Sequence, residues 1–440
     1  MTETSSDALV IGAGAAGLAA AAELAQTGRS VVILEARDRV GGRIWTRTEP
    51  GLPVPVELGA EFIHGAAEST FEWMRRFGVA AIDAQGGHWT VRRGQLQSRG
   101  NAFEGVRKAL GAARLRLRLR DLTFDAFLDA IGPKKLPRDA RALACMLVEG
   151  FDAADPARVS ARSVVEEWIE GGAFEAPQFR PLGGYGALLA PLVSSLEKAS
   201  VSLQLQSVVH AVRWRKGAVE AAGSRLGQPF CARARRAIVS LPLGVLQEPP
   251  GAPGAVRFDP PITQKEKAIR QLAPGPVLKV MLRFREAFWE DMANGRLRNA
   301  AFFHAPESAF PTCWTAIPVR VPLLVAWAGG PRAMRLAGAS RDQITEQALA
   351  SVGSLFGKRM NVGARLESAS VHDWQQDPYA RGAYSYVVVN GGKAREALAK
   401  PLQRTLFFAG EAADTEGEAG TVAGALQSGR KAALAAARRE

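Results

Sequence analysis

Cysteine is nearly absent from this 440-residue chain: Cys145, Cys231 and Cys313 stand far apart, with no CxxC pair and no histidine at metal-ligand spacing. An odd trio so placed argues against a disulfide framework and a zinc site, so no metal is expected and a reducing, cytoplasmic setting fits. Long apolar runs are missing too. The longest uncharged stretches, 8–22 and 181–196, are broken by glycines and fall short of the ~20 residues that span a bilayer, so no membrane contact is expected. The opening MTETSSDALV has neither the basic region nor the cleavage pattern of an export signal. Acidic residues are in deficit, 43 against 56 Lys and Arg, giving +13. That excess is scattered and mostly arginine, a weak pointer to nucleic acid, anionic membranes or acidic substrates. What remains, 47% apolar with no long disordered composition, suffices for two or three domains and a sizeable core.

What the chain does have is residues 8–35, ALVIGAGAAGLAAAAELAQTGRSVVILE, whose pattern predicts a strand, a glycine turn, an alanine-rich helix and a second strand. Gly12 permits the tight turn, Gly14 lets backbone N–H groups approach a pyrophosphate, and Gly17 lets the helix pack closely on the sheet. The phosphates would sit on the helix N-terminus, where unpaired N–H groups favour an anion. Glu35, 18 positions beyond Gly17, would accept hydrogen bonds from ribose hydroxyls and repel a 2′-phosphate. An ordinary βαβ unit without ligand has the same outline, and the motif does not choose between NAD and FAD. After it, ARDRVGGRIWT surrounds Gly41-Gly42 with Arg37, Arg39 and Arg43. Arg43 could offer a planar fork to the same pyrophosphate; a solvated basic turn is the alternative.

GxGxxG, then Glu35, then RxGGR resembles the flavin-dependent amine oxidase family, which includes monoamine oxidases, polyamine oxidases and lysine-specific histone demethylases. The following VELGAEFIHG, residues 56–65, is similar to the family's strand and turn beside the isoalloxazine ring. The resemblance implies FAD contacts from Gly12, Gly14, Ala15, Ala16, Gly17, Glu35, Ala36, Arg37, Gly41, Gly42, Arg43, Gly59, Ala60, Glu61 and Phe62. Glu61 and His64 could also face substrate, although a lone histidine is more often a structural hydrogen-bonder.

Residues 69–200 lose strand alternation and predict amphipathic helices broken by Gly and Pro. Within them ARLRLRLRDL has period two, but Leu115, Leu119 and Leu122 also share a helical face, and the neighbours favour helix. Arg114, Arg116, Arg118 and Arg120 then form a solvated rim. Without interleaved aromatics no nucleic-acid patch is expected. PLGGYGALLAPLV (181–193) resembles the family's glycine-tyrosine turn before the helix that returns to the cofactor domain. Residues 201–222 predict a β-hairpin turning at Lys216-Gly217. By resemblance its Val208 lies against the adenine.

In VLKVMLRFREAFW, Leu278, Val280, Leu282 and Phe284 share one strand face, and Lys279 shares the other with Val277 and Met281. Such a lysine is either partly desolvated and used, or an edge residue snorkelling to water. Resemblance to the family's lysine strand implies a water-mediated hydrogen bond to flavin N5. Trp374, Gly382 and Tyr384 have the spacing of the family's Trp…GxY segment; Trp374 would pack near the flavin, and Tyr384 would guide an amine over it. Covalently flavinylated members carry cysteine where Ala383 stands, so a non-covalent FAD is implied. The closing segment 406–434 would bring Gly410 and Glu411 to the ribityl-phosphate. The helix beginning near Gly420, Thr421 and Val422 would point its dipole at flavin N1 and O2. Monoamine oxidases have a second tyrosine at the position of Thr421, which leaves one clear aromatic wall and makes Thr421 a possible substrate contact.

The expected fold is α/β: a discontinuous Rossmann-type FAD-binding domain, residues 6–72, 200–262 and 396–440, with an α+β substrate-binding domain, 73–199 and 263–395, that includes a helical insertion, in the manner of p-hydroxybenzoate hydroxylase. The implied activity is FAD-dependent oxidation of a primary or secondary amine, with hydride transfer from the α-carbon to flavin N5, imine hydrolysis and reoxidation by O₂ to H₂O₂. Lys279, Tyr384 and Trp374 would be the catalytic group. An L-amino-acid oxidase, a desaturase or protoporphyrinogen oxidase, and a non-catalytic flavin-bound scaffold remain open alternatives. The sequence does not distinguish monomer from homodimer.

Overall fold

The computed structural model describes residues 2–92, 94–98, 102–172, 176–199, 201–357 and 360–438. Ser200, where the second expected segment of the cofactor domain begins, lies outside them. The apolar runs at the start of the chain become the centre of an eight-stranded sheet. Thr2–Ile11 pairs in parallel with Val31–Leu34 on one side and with Gln228–Val239 on the other. Val201–Gln204 and Leu406–Phe408 extend that parallel layer in opposite directions. Parallel strands covered on both faces need apolar side chains on both, which is why ALVI and VVIL do not alternate. Ala8, Val10, Val31 and Ile33 face one cluster, and Leu9, Ile11, Val32 and Leu34 the other.

Two helices cover the first face, Ala15–Gln26 and Val422–Ala437. They approach so closely that a Cβ at Gly429 would lie 2.1 Å from the Ala16 carbonyl oxygen. Chain ends some 400 residues apart in sequence are thus joined backbone to backbone. The helix Gly186–Glu197 buries Leu188, Leu189, Leu192 and Leu196 in the same cluster. Ser207–Arg215 and Ala218–Arg225 form the hairpin expected around Lys216-Gly217. Val201–Gln204 is not part of it and pairs with Val31–Leu34 instead.

A second, seven-stranded sheet runs in the order Leu366–Asp373, Val277–Phe284, Leu323–Gly329, Thr312–Thr315, Ala300–His304, Gly87–Arg92, Gln95–Ser98. Leu278, Val280, Leu282 and Phe284 point to a core shared with Ile344, Ala348 and Val352 of the helix Arg341–Phe356. The opposite face carries Lys279 and Met281.

The middle of the chain departs from the all-helical expectation. Glu68–Phe77, Ala102–Ala113, Phe124–Ile131, Arg138–Gly150 and Ala161–Val165 are helices. Ala81–Asp83, Gly87–Arg92, Gln95–Ser98 and Gln178–Pro181 are strands. Gly87–Arg92 pairs with Ala300–His304, a partner more than 200 residues away that no local pattern announces. The leucine face expected at 115, 119 and 122 is also corrected. The helix stops at Ala113 and only Arg116–Leu119 resumes, so the spacing of four is not maintained. Leu117 is the residue that goes inside, while Leu115 and Leu119 are 57% and 94% exposed.

Candidate active site

One cavity of about 1790 Å³ begins at the first glycine turn and ends against the second sheet. Of the residues expected from sequence to hold cofactor or substrate, all but Gly17 line it. Gly17 lies one layer beneath: its Cβ would stand 1.9 Å from the Gly12 carbonyl oxygen, so it closes helix onto strand. Gly12 has φ +104°, a conformation that favours glycine. At Gly14 the situation reverses, because a Cβ would meet only the Gly41 oxygen at 3.9 Å. The space there is open. Gly14 caps the helix without any side-chain hydrogen bond, so the first N–H groups are left for an anion. Those features fit a dinucleotide pyrophosphate.

Glu35, almost fully buried, accepts from Ala13 N (2.7 Å) through one oxygen and from Arg37 N (2.9 Å) through the other. The carboxylate braces the turn, and its remaining lone pairs suit ribose hydroxyls. Arg37 donates to Asp377 (2.7 Å). Arg43 is used differently from the simple phosphate fork expected: its Nη1 donates to Glu411 Oε1 (2.9 Å) and to the Ala383 carbonyl. Its guanidinium therefore reaches toward the Tyr384 segment. Val208 lines the cavity wall next to Ser207, whose N–H donates to the Glu35 carbonyl (2.8 Å), with its own carbonyl so close to Gly223 that a Cβ there would sit at 1.9 Å.

At the far end Lys279 is 1% exposed. Its Nζ donates to Glu61 Oε2 (2.7 Å) and to the Gly59 carbonyl (3.1 Å). Glu61 Oε1 accepts from Arg180 Nε (3.0 Å) and Trp314 Nε1 (3.0 Å). Burial pushes the Glu61 carboxyl up, but Lys279 and Arg180 outweigh it and hold the group below the usual glutamate range. Gly59 is required by its own backbone, since a Cβ would come within 1.9 Å of the Arg43 oxygen and 3.2 Å of Trp374. Trp374, buried, is oriented by its indole N–H donating to Leu58 O (3.0 Å).

Tyr384 donates its hydroxyl to the Phe151 carbonyl (2.6 Å), and burial drives its phenol well above the usual range, so it stays neutral. His64 meets the Gln178 amide at 3.2 Å and the Phe151 ring edge-on at 5.5 Å. Burial lowers it to about 4, leaving it uncharged at neutral pH. Thr421 accepts from Gly424 N (3.0 Å) and donates to Glu418 O (2.6 Å). Its hydroxyl is therefore occupied as a helix cap, and the N–H groups of Val422 and Ala423 are left uncapped by it. Glu411 binds Arg43 and the Ser385 hydroxyl (2.7 Å); burial raises it, and the Arg43 and Arg395 charges lower it further, to below its ordinary value.

Sequence reasoning missed a carboxyl pair. Asp152, 8% exposed, and Glu167 both line the cavity. Burial pushes Asp152 well above the carboxylate range and the Glu167 charge adds to this, with the Trp168 indole opposing. Burial raises Glu167 to about 7, against the pull of Arg395. Glu167 is exposed by surface area and lines the cavity, so the surface it presents is to the cavity, where surrounding protein still raises its carboxyl. No hydrogen bond to Asp152 Oδ2 meets ordinary geometry among the described residues, although the Trp168 indole lies close enough to act on the carboxyl. Glu167 sits in a π-helical turn, Glu166–Glu170, a widened geometry frequent at functional sites. Arg180 was missed as well, because a single arginine just before the Pro-Leu-Gly-Gly turn carries no pattern of its own.

Residues 15–437 match the family described as flavin containing amine oxidoreductase. The chain is 29% identical over 452 residues to the human protein named lysine-specific histone demethylase 2, covering 96% of this chain and 52% of that one. It is 28% identical over 467 residues to polyamine oxidase 3 of Oryza sativa subsp. japonica, covering 97% and 88%. It thus spans about half the length of the demethylase it matches. A solved putrescine oxidase, wild type bound to putrescine, superposes with a TM-score of 0.81 at 20% identity, covering 98% of this chain and 99% of that one, and shares its fold.

Proposed function

The chain belongs to the flavin containing amine oxidoreductase family, and from that premise we propose that it oxidises a small aliphatic amine carrying a second, distal ammonium. The observation that carries the reading is the Asp152–Glu167 pair. Two carboxyls in a poorly solvated wall, one with an oxygen that no ordinary hydrogen bond reaches among the described residues, are costly to charge unless a cation arrives. A diamine supplies one. The putrescine oxidase and polyamine oxidase relatives point the same way. An amino acid would instead need a cation for its carboxylate. The arginines lining the cavity are each tied to protein acceptors: Arg37 to Asp377, Arg43 to Glu411, Arg162 to the Leu117 carbonyl, Arg395 to Ser385.

The proposed cofactor-binding unit is residues 6–72, 200–262 and 396–440, with 73–199 and 263–395 forming the substrate unit. Bound non-covalently, FAD would supply the two-electron acceptor. The chain supplies placement. The uncapped N–H groups at Gly14 and Glu35 would hold the dinucleotide's inert half, and the helix beginning at Val422 would offer its positive end to the ring. The carboxyl pair anchors the distal ammonium while Tyr384 and neutral His64 line the path of the reacting nitrogen, which must be unprotonated there. Trp374 and the Lys279 cluster close the site from the sheet side and limit water. The proposed reaction removes a hydride equivalent from the carbon beside nitrogen, yields an imine that water hydrolyses, and passes the electrons to O₂ as H₂O₂.

A peroxide-release screen over mono-, di- and polyamines, amino acids and methyl-lysine peptides tests this. The expected result is a diamine preferred to the monoamine of equal length. Asp152→Asn should raise KM for the diamine about 10- to 100-fold, in line with losing a charged hydrogen bond, and leave the monoamine nearly unchanged. Silence across all amines with flavin bound would sink the reading.

A further inference from the structure

The contacts of Glu61 are more than a turn residue beside a cofactor needs. Its carboxylate receives donors from three strands at once. Lys279 comes from the strand Val277–Phe284, Arg180 from Gln178–Pro181, Trp314 from Thr312–Thr315, and Glu61 itself sits on the turn after Gly59. Lys279 and Glu61 side chains are 1% and 10% exposed, and Arg180 is 11% exposed. The cluster therefore holds two cations and one anion in a poorly hydrated place, a net charge of one. Arg180 is fixed from behind, donating to Thr315 O (2.9 Å) and Ile317 O (2.8 Å), and its guanidinium lies over the Phe62 ring at 4.4 Å. Glu61 cannot follow Lys279 without breaking from Arg180 and Trp314. Lys279 in turn spends two of its three N–H bonds on Glu61 and Gly59 O.

We propose that Glu61 is a positioning residue: it anchors Lys279 at the reactive end of the cavity and compensates one of the two positive charges there, so setting how readily the bound flavin accepts electrons. The inference rests on the reading that the flavin ring lies at the Lys279, Trp374 and Tyr384 end. The energetic reason is the surroundings. A unit charge in a site from which water is largely excluded acts on a neighbouring redox group far more strongly than the same charge in water, and reduction adds negative charge to the flavin. Glu61 thus opposes reduction and Lys279 favours it. The two side chains touch each other but should move the flavin in opposite directions.

Equilibration of the FAD-loaded protein with a redox dye of known potential, followed by absorbance, measures this without substrate. Glu61→Gln is expected to shift the two-electron equilibrium toward reduced flavin by about tenfold, and Lys279→Met toward oxidised flavin by about tenfold; tenfold is about 30 mV for two electrons. Glu61→Asp, which keeps the charge, should stay close to the parent protein. A merely structural role would lower thermal stability in both main variants without opposite redox shifts. Should Glu61→Gln alone fail to retain flavin, the double variant Glu61→Gln/Lys279→Met serves in its place, since removing both charges should return the equilibrium from the Lys279→Met position toward the parent protein. A shift with Lys279→Met and none with Glu61→Gln, or a double variant that stays at the Lys279→Met position, overturns the assignment of Glu61 alone. No shift in any variant overturns both it and the placement of the flavin ring at this end.

Discussion

Glu167 illustrates what burial does to a single side chain. Raised to about 7 by its protein surroundings against the pull of Arg395, it is only half ionised near neutral pH, and it binds an ammonium only as the carboxylate. The proposed diamine should therefore bind better as pH rises through about 7, seen as a falling KM for 1,4-diaminobutane. Butylamine, with no distal ammonium, should show no such limb. Glu167→Gln should remove the limb from the diamine profile and leave the butylamine profile unchanged; a diamine limb that survives this substitution would assign the titration elsewhere. At this scale Lys279 could be read from sequence, because one lysine inside a strand of apolar residues breaks a period-two pattern. Asp152 and Glu167 could not. Acidic residues in helical segments usually face water, and nothing in their spacing says that a helix end and a π turn bring them into one cavity.

The strand–turn–helix at the chain start was readable because all its constraints are local. Its glycines nevertheless do different work, and this gives a paired prediction. Gly17→Ala places a methyl 1.9 Å from the Gly12 oxygen, which must force the helix off the strand and cost about 1–3 kcal/mol. Urea unfolding of the apoprotein should show that loss. Gly14→Ala adds its methyl to open space at an ordinary negative φ, so apoprotein stability should hold while FAD affinity, measured by fluorescence titration, falls. If Gly14→Ala bound FAD as the parent does, the pyrophosphate would not lie over that turn. The strands within 69–200 were unreadable for the opposite reason. Gly87–Arg92 is short, begins with glycine and is stabilised chiefly by pairing with Ala300–His304 and Gln95–Ser98, so tertiary pairing overrides a weak local preference.

Across the whole molecule, the first sixty residues are held by charged contacts from the far end of the chain. Arg37 reaches Asp377 and Arg43 reaches Glu411, separations of 340 and 368 positions. Charge patterning could name these arginines as anion binders but not their carboxylate partners, because the partners lie more than 300 positions away and meet them only in the tertiary fold. Glu411 is the more revealing of the two carboxylates. It joins Arg43, Ser385 and the segment that carries Arg395, so it spans the wall between the cradle and Tyr384. Burial raises it, and the two arginines bring it below its ordinary value. A carboxyl lowered in the fold contributes stability above its unfolded value, about 4.3, and that contribution disappears as pH falls through the folded value. Glu411→Gln leaves the Arg43 charge unanswered. Breaking a buried pair costs about 3–5 kcal/mol, and with Arg43 25% exposed the low end applies. The expected outcome is a lower denaturation midpoint and faster FAD release at pH 7, with the difference from the parent protein narrowing below pH 4 as the parent's own Glu411 is protonated. A variant whose deficit stayed constant over that range would locate the loss in packing rather than in the ion pair.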